Sequence, residues 1–356
     1  MADLQADVLI VGAGLAGLAA ARTLTRQNVD YLLAEASDNC GGRVKTEHYK
    51  GYTLDHGFQV MLTAYPECQD FLDYQKLNLK FFQPGSVIRI NSKFSKIVDP
   101  ANQPLEAFES IFSPVGTFSD KIKLLSLRAK IKNRSLVEIF NESEEHTTID
   151  HLKEHGFSDK IIKHLFKPFL GGIYLDRELK TSDKFLYFVF KMFSEGDTAI
   201  PSGGMQDIPK QMQTSLDPEK ILLNHSLESV DNKTAIFSNG TRIKFNKLIL
   251  AADASLASKL GYLNSEIEYN STTNVYFELD KDEVPVKEPM LVLNGGDGII
   301  NNLSFLSNIA PEYAPEGKAL LSASLVGDYS SNEAVEIIRK ELVNWWGDDT
   351  RNWNFL

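Results

Sequence analysis

Gly12-Ala13-Gly14-Leu15-Ala16-Gly17 follows directly on Val8-Leu9-Ile10-Val11. Three glycines at this spacing serve anion chemistry. Gly12 permits a tight turn, Gly14 lets the backbone approach a pyrophosphate, and Gly17 lets a helix pack close to a sheet. The amides that open that helix favour negative charge. Glu35, followed by Ala36, stands 18 residues beyond Gly17. A carboxylate there can accept hydrogen bonds from adenosine ribose hydroxyls, and its charge repels a 2′-phosphate, which disfavours NADP. Five residues later comes Gly41-Gly42-Arg43. The planar donor fork of Arg43 suits phosphate oxygens. A simple nicotinamide site has no need of this second turn, whereas a larger dinucleotide does.

The elements that must hold these residues are legible. Asp7 to Val11 reads as a short buried strand, with three of its residues β-branched. A helix follows, carrying Leu15, Leu18, Ala19 and Arg22 on periodic positions and ending at Gln27-Asn28. Tyr31 to Ala34 reads as a second strand that delivers Glu35 at its tip. Strand, glycine turn, helix, strand and acid in register specify a Rossmann-like unit.

With these motifs, and with Gly51-x-x-x-Asp55-x-Gly57, the chain resembles the flavin amine oxidase superfamily. That group includes monoamine oxidases, protoporphyrinogen oxidases, phytoene desaturases and carotenoid isomerases. Later segments resemble it in the right order: Phe166 to Tyr174 in the substrate domain, Pro201-Ser202-Gly203-Gly204-Met205 at the return to the flavin domain, and Ile249 to Asp253 on a strand toward the cofactor. The resemblance implies an α/β fold, a Rossmann-like FAD-binding domain with an inserted α+β substrate domain of antiparallel sheet plus helices. It implies FAD as cofactor and no metal. Gly12, Ala13, Gly14, Leu15, Ala16 and Gly17 would meet the pyrophosphate, and Glu35 and Ala36 the adenosine ribose. Gly41, Gly42 and Arg43 would run along the pyrophosphate and ribityl region. Gly57, Phe58 and Gln59 would lie beside the isoalloxazine ring, Leu227 would offer backbone contacts to adenine, and Ala251 would line the adenosine end. No catalytic side chain is assigned. The expected division is 1–83 and 200–265 for the flavin domain, and 84–199 and 266–356 for the substrate domain.

Composition bounds the remaining classes. Of 356 residues, 43% are hydrophobic and 24% charged, which is ordinary for a globular chain of about two domains. The net charge of −11 opposes nucleic-acid binding. Two cysteines, Cys40 and Cys68, make no disulfide framework and fit a reducing, cytoplasmic setting. No apolar run reaches the length of a spanning helix. Val8 to Ala21 lacks the basic flank of a signal peptide.

From Phe118 to Phe140 the pattern predicts a helix with a basic stretch: Lys121, Lys123, Arg128, Lys130, Lys132 and Arg134. It suits either peripheral contact with an anionic membrane or, more simply, a solvated face. His151-Leu152-Lys153-Glu154-His155 matches an inverted zinc-protease pattern, but Gly156 ends the helix and no third ligand is evident, so surface histidines are expected. Ser182 is expected to cap a helix bearing an aromatic stripe, Phe185 to Phe193, with core and substrate wall equally open. Asn239-Gly240 predicts a type I′ hairpin turn. Asp99 to Pro104 reads as a break between elements. Four strands, Val275–Leu279, Met290–Leu293, Ile299–Phe305 and Ala319–Leu325, predict an antiparallel sheet, and Ser331 to Trp346 a helix.

The expected activity is FAD-dependent oxidation, with hydride leaving a small, apolar organic substrate for the flavin. Two alternatives stand beside it: a redox-neutral flavin isomerase of carotenoid type, and a truncated, inactive binding protein. The latter rests on the family's closing Gly-Asp turn and glycine-containing helix, which do not follow Trp345-Trp346-Gly347 and Trp353 here. On that reading the chain is a fragment that binds FAD weakly.

Overall fold

The computed structural model describes residues 4–98, 113–264 and 267–356. The break expected at Asp99 to Pro104 lies outside them. The chain forms two units, each woven from separated segments. The first comprises Met1–Glu47, Gln69–Asn78 and Gly203–Tyr269, and the second His48–Cys68, Leu79–Ser202 and Asn270–Leu356. Residues 48–68 and 79–83, expected in the flavin domain, therefore pack with the second unit. The cause is long-range pairing: Met61–Leu62 and Leu79–Phe81 both flank Thr198–Pro201 in a small antiparallel sheet.

The first unit is built on a six-stranded sheet in the order Ile221–Leu222, Tyr31–Ala34, Leu4–Val11, Arg242–Leu250, Thr234–Phe237, Leu227–Asp231. The first four strands run parallel and the last two antiparallel. Leu9, Val11, Ala34, Leu227, Phe237 and Ile243 share one core cluster. Helix Leu15–Arg26 buries Gly17, Leu18 and Ala21. The type I′ turn falls elsewhere than expected. Asn232 and Lys233, both at positive φ, join Leu227–Asp231 to Thr234–Phe237 as a two-residue loop. At Asn239-Gly240 only Gly240 has positive φ, and Phe237 N donates to Thr241 O across a longer loop. Three residues span that turn, so Asn239 never needs the left-handed region.

In the second unit a seven-stranded sheet runs Asn354–Phe355, Thr272–Asp280, Lys318–Val326, Ile300–Phe305, Leu291–Asn294, Gly85–Ile90, Lys93–Val98. The four strands expected here pair antiparallel throughout, and only the added strand Gly85–Ile90 pairs parallel, with Leu291–Asn294. Alternation separates its faces. Val275, Phe277, Leu303, Phe305, Leu321, Ala323 and Leu325 pack with Ile338, Leu342, Trp345 and Trp353 in one apolar core. The opposite set is polar yet buried: Asn302, Ser304, Ser322 and Ser324.

A helical layer in the same unit has its own core, from Leu127 and Ile131 through Phe166 to Leu186 and Val189. The expected helix from Phe118 to Phe140 is two, Phe118–Lys132 and Leu136–Phe140, because Ser135 starts a new capping box with Glu138. Ser182 caps Asp183–Glu195 as expected, accepting from Lys184 N. The aromatic stripe of that helix packs on neighbouring rings, Phe188 stacking on Tyr65 and Phe193 meeting Phe169. His151 is not a surface residue. It is buried, with Nδ1 3.1 Å from Asp183 and Nε2 2.8 Å from the Tyr187 hydroxyl. Helix Thr148–Glu154 turns that face inward. Burial pushes the His151 ring below its ordinary pKa, against the pull of Asp183. No group of metal-ligating side chains occurs among the described residues. No described helix is long and apolar enough to cross a membrane.

Candidate cofactor and substrate sites

The glycines of the first turn answer to different neighbours. A Cβ on Gly17 would stand 1.8 Å from Gly12 O, and one on Gly12, at φ +101°, would stand 2.7 Å from Ala251 O. Both are required by the chain's own packing. A Cβ on Gly14 would meet nothing closer than Gly42 Cα, at 3.9 Å. Among the described residues nothing demands glycine there, which leaves space for a ligand to approach the backbone. The helix begins at this point with no side-chain cap and no acid in its first turn, and Leu15 and Ala16 are exposed. Uncapped helical amides beside an open glycine form an anion cradle.

Gly41 closes on the same turn, its amide donating to Ala13 O at 2.9 Å. A Cβ on Gly42 would press on Gly14 Cα at 3.1 Å. Glu35 is buried and oriented. Oε2 accepts from Ala13 N at 2.7 Å, and Oε1 accepts from Ser37 N at 2.9 Å and Ser37 Oγ at 2.8 Å. Oε1 has two donors and Oε2 one, so one acceptor position on Oε2 stays open for a hydroxyl. Ala36 is exposed beside it. His225 N donates to Glu35 O and Asn224 N to Ser37 O, which brings the start of Leu227–Asp231 to this end of the sheet. Ala251 N donates to Val11 O and seats that residue over the glycine turn. Arg43 is exposed. The carboxyl of Asp253 is held below the usual range by hydrogen bonds from Tyr269 and Ser255 and, further off, by the Arg43 charge. Gly12 to Gly17, Glu35, Gly41 to Arg43 and Ala251 thus converge. This cradle fits the pyrophosphate and adenosine ribose of a dinucleotide.

Gly57, Phe58 and Gln59 belong to the second unit. The segment before them is pinned there. Tyr276 donates its hydroxyl to Asp55 O at 2.8 Å, and Tyr313 donates to Asp55 Oδ2 at 2.9 Å. Burial and the Asp55 charge push the Tyr276 phenol far up, so it stays a donor. Phe58 lines a cavity of about 30 Å³ together with Gly172, Leu175, Thr272, Asn301, Asn302, Ser324 and Val326. No lining residue is charged.

The polar end of this cavity is fixed by a chain of amides. Asn301 Nδ2 donates to Pro168 O at 2.9 Å and to Asn302 Oδ1 at 3.0 Å. That sets which way the Asn302 amide points, and its Nδ2 is left buried with no partner among the described residues. A register shift between Ile300 and Asn302 makes room for the two consecutive asparagines. Gly172 is required, because a Cβ there would stand 2.5 Å from Asn301 Nδ2. Sequence reasoning singled out the segment holding Gly172 but not Asn301, Asn302, Tyr276 or Tyr313. No local pattern marks them, since their partners lie far away in the chain.

Four parallel strands with a glycine turn, an uncapped helix and an acid at the tip of the second strand define a Rossmann-like dinucleotide-binding protein. Comparison with known proteins narrows that class. The model of the flavin containing amine oxidoreductase family matches residues 15–354. The chain belongs to this family, and its cofactor is FAD.

Protoporphyrinogen oxidase 2 of Arabidopsis thaliana is 29% identical over 165 residues, 46% of this chain and 32% of that protein. The chain thus matches about a third of the length of this relative and of the tobacco protoporphyrinogen oxidase. A flavin-containing monoamine oxidase of Mycobacterium tuberculosis is 53% identical over 51 residues, 14% of this chain and 11% of that one. Among solved structures, a putrescine oxidase triple mutant superposes with a TM-score of 0.73 at 18% identity, covering 99% of this chain and 85% of that chain. Reduced UDP-galactopyranose mutase superposes at 0.67 with 16% identity, covering 99% and 81%. These likenesses establish the fold.

Proposed function

We propose that the chain is an FAD-dependent oxidoreductase that removes hydride from a small organic substrate. The observation that carries this reading is the convergence of an open Gly14, an uncapped helix start and the oriented Glu35 carboxylate, in a member of a flavin-containing family. FAD, when bound, supplies a two-electron acceptor for a substrate C–H hydride. The chain's own part is binding and orientation. Amides of Gly14 to Gly17 hold the pyrophosphate, Oε2 of Glu35 accepts from the ribose, and Arg43 adds charge to the phosphates.

Phe58, Leu175 and Val326 offer the substrate an apolar wall, and Asn302 Nδ2 offers one donor. A buried donor without a partner costs about 1–3 kcal/mol, which an acceptor oxygen on the substrate would recover. The lining, half of it Thr272, Asn301, Asn302 and Ser324, supports a neutral substrate group that carries a hydrogen-bond acceptor and is small enough for about 30 Å³. Both cysteines are free thiols, which supports a cytoplasmic setting.

Equilibrium dialysis against FAD, followed by anaerobic incubation with candidate substrates, tests this reading. Bound flavin that bleaches with loss of two hydrogens from the substrate supports it. A product of unchanged mass would assign the isomerase instead, and failure to retain flavin would remove both.

A further inference from the structure

Helix Phe118–Lys132 presents the wrong kind of face to solvent. Its inward side is conventional: Asp120, Leu127 and Ile131 are buried. On the opposite side Phe118, Ile122 and Leu125 are 66%, 54% and 50% exposed. With exposed Ala129 they follow the i, i+4, i+7, i+11 spacing of a single stripe along a helix. The next helix, Leu136–Phe140, adds Val137 at 69% and Phe140 at 49%. A surface helix normally turns charge outward; this one turns a ridge of large apolar side chains outward.

The charges lie along the edges of that ridge. At about 100° per residue, Lys121, Arg128 and Lys132 fall on one flank and Lys123 and Lys130 on the other. Lys121 donates to Ser113 O and Lys123 to Gly156 O, which holds both chains against the protein surface. The helix has one acid, Asp120, and it does not face out. Its carboxyl accepts from Thr117 and Ser158. In a chain of net charge −11, this is a basic-edged apolar ridge.

We propose that this ridge is a docking surface for an anionic lipid bilayer, with the apolar stripe entering the interface and the exposed Lys130 and Lys132, one on each flank, reaching headgroup phosphates. The charge pattern favours lipid over a second copy of the chain. An isologous dimer through the ridge would set basic flank against basic flank, whereas an anionic surface complements both flanks at once. The proposal does not depend on the reaction assigned above.

The test is co-sedimentation of the holoprotein with sucrose-loaded vesicles, either of phosphatidylcholine alone or with a third phosphatidylglycerol. Three variants accompany it: Ile122→Ser with Leu125→Ser, Lys130→Glu with Lys132→Glu, and Tyr262→Ser as an exposed control in the other unit. All five side chains are already exposed, so melting temperatures should stay unchanged. The expected result is binding to the anionic vesicles that salt weakens, with a drop of about tenfold in partition for either double variant and none for the control. Equal binding to neutral vesicles, no sedimentation of the wild type, or unaltered binding of both double variants would overturn the proposal. So would a concentration-dependent dimer that Ile122→Ser with Leu125→Ser dissolves, which would assign the ridge to a second copy.

Discussion

The glycine turn of the first unit and the amide-lined cavity of the second both depend on a glycine, but the two glycines answer to different distances along the chain. Gly17 is forced by Gly12, five residues earlier, whereas Gly172 is forced by Asn301, supplied by a distant strand. The first is a contiguous backbone turn with an uncapped helix start, to which Glu35, Gly41 to Arg43 and Ala251 are brought from elsewhere in the chain. The second is side chain, assembled from segments remote in sequence and sealed by amide-to-amide hydrogen bonds. A ligand moiety common to a whole family can be read by backbone amides that any side-chain set leaves in place. A ligand peculiar to one protein needs side chains, and those can be drawn from anywhere in the fold.

Substitutions can break that contrast. The largest effect is expected from Gly17→Val, whose Cβ has no room beside Gly12 O. It should cost more than about 4 kcal/mol, with both the melting temperature and the flavin absorbance collapsing. A variant that kept its melting temperature would show the turn to be slack.

Gly172→Ala should cost about 2 kcal/mol by displacing Asn301. It should leave flavin binding intact while substrate affinity falls, as flavin titration and substrate titration on one preparation would show. Loss of flavin here would mean that the two sites are not separable.

Glu35→Gln retains the shape of the side chain but removes its charge. One oxygen becomes a donor and faces either Ala13 N or Ser37 N, so the melting temperature should fall by the equivalent of about 1 kcal/mol and FAD affinity by about tenfold, as thermal melts and isothermal titration would register.

The smallest effect is in pH. His151 has a lowered pKa in the folded protein, so the unfolded chain binds its proton more tightly. Its contribution is complete above an ordinary histidine pKa of about 6.5 and is lost as pH falls below it toward the folded value. Urea midpoints at pH 7.5 and 5.5 should therefore differ, and His151→Gln should narrow the gap. Hydrogen exchange should place the softening in the helical layer and not in the six-stranded sheet.

The legibility of the two regions follows the same division. Strand, turn, helix and acid from Val8 to Glu35 are readable because residue types at fixed spacing mark them, even though Gly12 is also confined by the distant Ala251 O. The helix Ser331–Trp346 was readable for its 3.6-residue period, and its bounds are those expected. The mixed pairing of Gly85–Ile90 with Leu291–Asn294 could not be read, because no local pattern encodes strand direction. The type I′ turn was assigned to Asn239-Gly240 on residue type, while Asn232-Lys233 adopts it, with a lysine held at φ 62° by the strands on either side. His151 was misjudged because a histidine among charged residues looks solvated until Asp183 and Tyr187 are brought to it from another helix. The apolar ridge on Phe118–Lys132 was hidden as well, since apolar residues occupy both of its faces and only burial tells them apart.

One pairing has a bearing on how the protein is made. Leu4–Val11 lies at the centre of its sheet between Tyr31–Ala34 and Arg242–Leu250, and the register sets Leu4 against Ile243. On a ribosome moving at about 5–20 residues per second, the later strand emerges roughly 12–50 seconds after the earlier one. For that interval the edge of Leu9, Ile10 and Val11 has no partner on one side, and a nascent chain in this state is a natural client for a chaperone.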